Sequence, residues 1–217
     1  MDTLLSIWPE PAMLAAFLAA CAVLFITPGP DMSLFLAKTI SGGRRLGTMS
    51  MLGATAGCLV HTTLAALGVS ALLAASSTAF TMLKVVGSGY LLWLAVDAVR
   101  NGSALRLREG SAPASSPWRT FLLGLGVNLT NPKVVLFFVT FLPQFVEAGQ
   151  PHPTARLFVL GLLVVVLSTP FNGLLVLAAD RAVELFTRRP RLMRAIDLAF
   201  AGIFGLFAIR IATLQGR

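Results

Sequence analysis

Uncharged apolar runs occupy residues 11–26, 46–83 and 157–179, and residues 120–146 carry one charge, Lys133. Shorter segments rich in Arg, Ser and Gly separate them. A helix of about 20 apolar residues crosses the hydrocarbon core of a bilayer, so each run predicts a membrane helix. The run 46–83 is too long for one crossing, and Ser76-Ser77 is the place for its turn. The pattern predicts six spans at 11–38, 46–75, 78–100, 119–146, 154–179 and 192–214.

Two spans contain a helix breaker deep in the apolar run. In the first it is Thr27-Pro28-Gly29-Pro30-Asp31, and in the fourth Asn128-Leu129-Thr130-Asn131-Pro132-Lys133. Proline lacks an N–H and clashes with the preceding turn, so a helix restarts at it, with Gly29 or Asn131 as N-cap. Aligning Pro30 with Pro132 also aligns Leu34 with Leu136 and Phe35 with Phe137, and sets Asp31 opposite Lys133. This reads as a diverged repeat. With three spans in each half, the second enters the membrane from the opposite face, as an inverted repeat requires. The predicted fold is an all-α integral membrane protein of two inverted three-helix repeats, 1–100 and 119–217, joined by a cytoplasmic connector, 101–118. Backbone freed at a break is tolerated at membrane depth only where protein buries it or a polar cavity meets it. Paired breaks therefore point to a transporter's binding site.

Composition agrees: the 217 residues are 56% hydrophobic and 12% charged, with a mean hydropathy of +0.83. The net charge of +8 raises the question of nucleic acid, but the basic residues sit between apolar runs rather than in a basic domain. Twelve of the 17 fall in the first, third and fifth loops, which places those loops in the cytoplasm and both termini in the periplasm. Asp2 and Glu10 occupy what would be a basic leader region, so the first run reads as a retained span rather than a signal peptide. Cys21 and Cys58 have no metal or redox spacing and read as small buried hydrophobes. No cofactor motif is present.

The remaining polar residues in the spans have plainer readings. Gly53-x-x-x-Gly57 gives a small face for close helix packing, and His61 on the same span reads first as a helix-to-helix hydrogen-bonding residue and second as a proton relay. Asp97 with Arg100, and Asp197 with Arg194, have the i,i+3 spacing of anchoring pairs, while Lys84 and Arg210 can snorkel outward. Ser168, Thr169, Pro170 and Asn172 form a mid-span polar group that serves either to cap a kink or to wall a cavity.

Asp31 suits the positive end of a half-helix, whereas Lys133 in the first turn of its half-helix does not, so Lys133 calls for an anionic companion. An amino acid zwitterion fits: its carboxylate suits Lys133 and free amides, and its ammonium suits Asp31 or carbonyls ending the preceding half-helix. Pro28, Gly29, Pro30, Asn128, Asn131 and Pro132 complete the candidate substrate site, with Thr27, His61 and Asn172 as candidate cavity or coupling residues. A permanent Asp31–Lys133 ion pair clamping the halves is the alternative.

Around these residues the chain resembles the LysE/RhtB-type amino acid exporters. The resemblance rests on Ile26-Thr27-Pro28-Gly29-Pro30-Asp31, Gly43-Arg44-Arg45-x-Gly47, Asn128-Leu129-Thr130-Asn131-Pro132-Lys133 and Phe141-Leu142-Pro143-Gln144-Phe145, with further agreement at Lys84-x-x-Gly87-x-x-Tyr90-Leu91 and at Asp197 and Gly202. It implies export of amino acids or derivatives from a bacterial cytoplasm across the inner membrane, driven by the proton-motive force with protons as coupling ion. The form is closer to the threonine and homoserine branch than to the basic amino acid branch. Whether the protein is a homo-oligomer stays open. An intramembrane enzyme would need converging groups, and His61 has neither a second histidine nor paired acids beside it. A passive channel would need a ring or stripe of polar groups rather than two focal breaks.

Overall fold

A computed structural model describes residues 8–102, 116–146 and 150–214, with side chains to 209. Every regular element among them is helical. Helix α1 is Pro11–Ile26, and α2 is Pro30–Leu64, continued by a π turn, Ala65–Val69, into α3, Ser70–Ala75. Next come α4 (Ser77–Asn101), α5 (Pro117–Thr130) and α6 (Pro132–Leu136), the last continued by a π turn, Phe137–Phe141, and a 3-10 turn, Leu142–Phe145. The chain ends with α7 (Pro153–Leu177), α8 (Ala179–Arg188) and α9 (Pro190–Leu214). The connector 101–118 lies largely outside the described residues.

Both breaks form where the prolines place them. α1 stops at Ile26 and α2 starts at Pro30 with Gly29 as N-cap, while α5 stops at Thr130 and α6 starts at Pro132 with Asn131 as N-cap. The pair α5 and Pro132–Phe145 is bent by 52°. Ser76 makes the expected turn before α4, its hydroxyl accepting from the Ala79 N–H.

The first loop is shorter than its seven residues suggested. Helix runs up to Gly43, whose φ of 78° and ψ of 169° turn the chain in one residue, so α2 is two limbs rather than one rod. A side chain is strained at that φ, which is why glycine stands there. By length and apolarity four helical stretches suffice to cross a membrane, counting Pro30–Ala75 as one, and the bent pair makes a fifth. α1, at 16 residues, is short for a crossing by itself. The protein is a multi-pass, all-α membrane protein.

α8 is an element that the sequence reading left inside a loop. It is strongly amphipathic: Ala179, Ala182 and Phe186 are buried against Met32, Leu36 and Met193, while Arg181, Glu184 and Arg188 are exposed. Of the anticipated anchoring pairs, Asp97 instead accepts from the Asn101 side-chain amide at 2.6 Å, and the Arg194 guanidinium donates to the Val99 carbonyl. The Lys84 ammonium sits 5.4 Å over the Phe80 ring.

The main core is aromatic and gathers where α6 departs from α geometry. Phe17, Phe137, Phe141, Phe145 and Phe204 are buried together, with centroids of 5.1 Å for Phe17–Phe145 and 5.2 Å for Phe141–Phe204. Pro143 cannot donate to an α ladder, consistent with the switch to 3-10 geometry there.

The small-residue face of α2 meets α5 at backbone distance. A Cβ on Gly53 would lie 2.0 Å from the Phe121 carbonyl oxygen, and one on Gly124 2.1 Å from that of Ser50. Backbone cannot yield as a side chain can, so the helices would have to separate. Gly53→Ala and Gly124→Ala should each lower the unfolding midpoint of detergent-purified protein, at a cost of about 1–3 kcal/mol. Gly126→Ala, with open space around it, is the control and should not.

Candidate functional site

The two breaks converge on one cavity of about 70 Å³, room for several waters. Thr27, Gly29, Asp31, Asn128, Asn131, Lys133, Ser168 and Asn172 line it with apolar neighbours that include Phe25, Met32, Phe35 and Phe138. Pro28, Pro30 and Pro132 shape the breaks without lining the cavity. Ser168 and Asn172, one helical turn apart, share the cavity face of α7, while the Thr169 hydroxyl donates back to the Val165 carbonyl at 2.7 Å. Ser168 and Asn172 of that polar group thus wall the cavity, while Thr169 bonds back to its own helix.

Asp31 and Lys133 do not pair directly; no oxygen–nitrogen contact within 4.0 Å joins them. Each instead reaches the half-helix that precedes the other break. The Lys133 ammonium donates to the Leu24 carbonyl at 3.1 Å and the Thr27 carbonyl at 2.6 Å, at the C-terminal end of α1. Asp31 Oδ2 accepts from the Asn128 side-chain amide at 2.7 Å, in the last turn of α5. The anionic companion anticipated for Lys133 is therefore a helix C-terminus, whose unpaired carbonyls carry roughly half a negative charge. Those carbonyls are consequently taken, and are not the free acceptors that the sequence reading offered to a substrate ammonium.

Gly29 makes this contact possible, since a Cβ there would stand 3.3 Å from the Lys133 nitrogen. Gly57 does the same for Asn128, whose Oδ1 would lie 2.4 Å from an added Cβ. Asn128 is the hub of the site. It also touches the Cys58 sulfur at 3.6 Å through Nδ2, and its carbonyl faces His61 Nε2 at 3.4 Å. Cys58 is therefore a cavity-lining neighbour of the hub rather than a mere packing residue, whereas Cys21 is fully buried in the core. His61 does not line the cavity; it stacks on Phe138, centroids 5.6 Å apart, as a helix-to-helix contact.

Among the described residues two buried polar atoms at the breaks make no well-aligned hydrogen bond, Asp31 Oδ1, an acceptor, and Asn131 Nδ2, a donor, although the two side chains lie close enough to interact with each other. Asn131 spends its oxygen on capping α6 through the Lys133 N–H at 3.1 Å, which leaves the amide nitrogen. Lys133 has three N–H donors and uses two on α1. The arrangement offers one acceptor of formal negative charge and the remaining N–H of Lys133, in a hollow walled by further polar groups and by apolar side chains. Of its polar wall, Thr27, Asp31, Asn128, Asn131, Lys133, Ser168 and Asn172 had been legible in the sequence; Thr55 and Cys58 complete it.

Lys133→Met should leave the Leu24 and Thr27 carbonyls unpaired. With hydrogen bonds from a charged donor worth about 1.5–3 kcal/mol, the unfolding midpoint of the purified protein should fall clearly. Asp31→Asn keeps an acceptor for Asn128 and should leave the midpoint near that of the unaltered protein. An unchanged midpoint for Lys133→Met would contradict the tie to α1.

The chain is 32% identical to an uncharacterized membrane protein of Pseudomonas aeruginosa over 196 residues, 87% of this chain and 89% of that one. It is 30% identical to the homoserine/homoserine lactone efflux protein of Salmonella typhimurium over 201 residues, 92% of this chain and 96% of the relative. It is 29% identical to the leucine efflux protein of Klebsiella pneumoniae over 201 residues, 92% and 94% of the two chains. No solved structure matches significantly. Residues 22–215, which hold both breaks and the whole cavity wall, match the family described as LysE type translocator, and the chain belongs to that family: it is a membrane transporter and not an enzyme.

Proposed function

We propose that this translocator exports amino acids or their derivatives, neutral and threonine- or homoserine-like in preference, across the bacterial cytoplasmic membrane. It works as a secondary transporter driven by the proton-motive force. Its six spans form two inverted repeats, 1–100 and 119–217, with both termini periplasmic. The family and the efflux relatives support the amino acid. The crossed contacts of Lys133 with α1 and of Asp31 with α5 support the repeat, because equivalent positions make reciprocal contacts.

The observation that carries the reading is the buried Asp31 carboxylate on the cavity wall, whose Oδ1 has only the poorly aligned Asn131 amide beside it. A zwitterion satisfies both. Its ammonium is received by Asp31, and its carboxylate by Asn131 and the remaining N–H of Lys133. An ammonium on Asp31 and a carboxylate on Asn131 would replace the poorly aligned Asp31–Asn131 approach with two charge-assisted contacts, so a ligand that supplies both ends gains free energy there. Thr27, Asn172 and the apolar wall meet the side chain.

The test is release of labelled leucine, threonine and homoserine from proteoliposomes under an imposed pH gradient. Loss of one charge-assisted contact, about 1.5–3 kcal/mol, corresponds to a factor of roughly 10–150, so Asp31→Asn should export at least about tenfold more slowly while remaining assembled. Because His61 stands outside the cavity, His61→Asn should retain most efflux. Release of no member of the panel, or normal efflux by Asp31→Asn, would overturn the assignment.

A further inference from the structure

The corner between α8 and α9 has a use that solute export does not account for. Two adjoining hollows of about 400 and 390 Å³ meet there. Arg181, Glu184, Leu185, Arg188 and Arg189 line the first, and Arg188, Arg189, Pro190, Arg191 and Leu192 the second. Glu184 is committed to Arg188, 3.0 Å away. The guanidiniums of Arg181, Arg189 and Arg191 have no hydrogen bond or ion pair with a described residue. Elsewhere on the same side of the charge pattern, Arg44 donates to the Leu177 carbonyl and Arg194 to that of Val99, so partners for arginine are available where the fold provides them.

Position decides what the three guanidiniums face. α7 and α9 are both long and apolar enough to cross the membrane, so the ten residues of α8 between them lie at its surface. Leu185 and Leu192, 39% and 38% exposed, stand among the arginines and present an apolar floor beneath a cationic rim. A water-soluble anion has no use for that floor, whereas a phospholipid brings both a phosphate and acyl chains. Guanidinium groups hold phosphate oxygens in paired hydrogen bonds, and basic amphipathic helices bind anionic membranes through both parts of their surface.

We propose that the α8–α9 corner is a binding site for the headgroup of an anionic phospholipid, held by Arg181, Arg189 and Arg191 with Leu185 and Leu192 against its acyl chains. The opposite face of the helix packs Ala182 and Phe186 on Met32 and Leu36, directly after Asp31. The bound lipid thereby braces the half-helix that carries the cavity's carboxylate.

The full-length protein would be placed in nanodiscs of equal phosphatidylcholine and phosphatidylglycerol, and the lipid retained after extraction counted by native mass spectrometry. Retained phosphatidylglycerol should be enriched over phosphatidylcholine, and Arg181→Gln, Arg189→Gln and Arg191→Gln together should abolish the enrichment, by about fivefold for each charge removed. Lys38→Gln, Arg45→Gln and Arg119→Gln remove equal charge elsewhere in the basic loops and should leave enrichment intact. Equal loss in the two triple variants would show diffuse attraction and overturn the site. So would displacement of the lipid by millimolar inorganic phosphate, which would make it a site for free anions. Monodisperse elution of each variant checks that the corner, not the fold, was altered.

Discussion

A helix that ends inside a bilayer leaves carbonyls and amides without partners, and water is not there to take them. Everything at the centre of this protein follows from how two such ends are satisfied. Each break reaches the other: the ammonium that follows Pro132 covers the carbonyls that end α1, and the carboxylate that follows Pro30 receives the Asn128 side-chain amide in the last turn of α5. The halves are thereby tied at two points by groups of opposite character. What remains uncommitted after these ties, one carboxylate oxygen and one amide nitrogen, is what the cavity presents to a solute.

Such ties demand close backbones. Gly29 lets the Lys133 side chain lie against the first break, Gly57 makes room for Asn128, and Gly53 and Gly124 let α2 and α5 touch through their main chains. A larger residue at Gly53 or Gly124 would push α2 and α5 apart, and one at Gly29 or Gly57 would crowd the Lys133 or Asn128 side chain. On the other side of His61 and Phe138 the interior changes to a dense cluster of phenylalanines around the irregular turns of Phe137–Phe145.

Much of this was legible in the sequence, for physical reasons that differ from residue to residue. Proline fixes where a helix restarts whatever surrounds it, so Pro30, Pro132 and their caps were placed correctly. A small-residue face such as Gly53-x-x-x-Gly57 implies a close neighbour without naming it, and only the structure shows that the neighbour is α5. The partner of Lys133 was out of reach because backbone carbonyls are the same in every residue, so no side chain at Leu24 advertises the one that it offers. Cys58 looked like a hydrophobe because nothing local marks Asn128, 70 residues away, as its contact. α8 was missed because its arginines read as loop charge, while its buried face is two alanines and one phenylalanine that find their cover on α2.

The central claim is that the two charges serve opposite helix ends rather than each other, and exchanging them tests it most directly. In Asp31→Lys with Lys133→Asp a mutual ion pair would survive with its sign reversed. The crossed arrangement would not: an ammonium at position 31 would face the Asn128 amide, donor against donor, and a carboxylate at 133 would face the Leu24 and Thr27 carbonyls, acceptor against acceptor. Measured in parallel for membrane abundance and amino acid efflux, the exchanged protein should fail in both. Abundance and efflux restored to those of the unaltered protein would contradict the account.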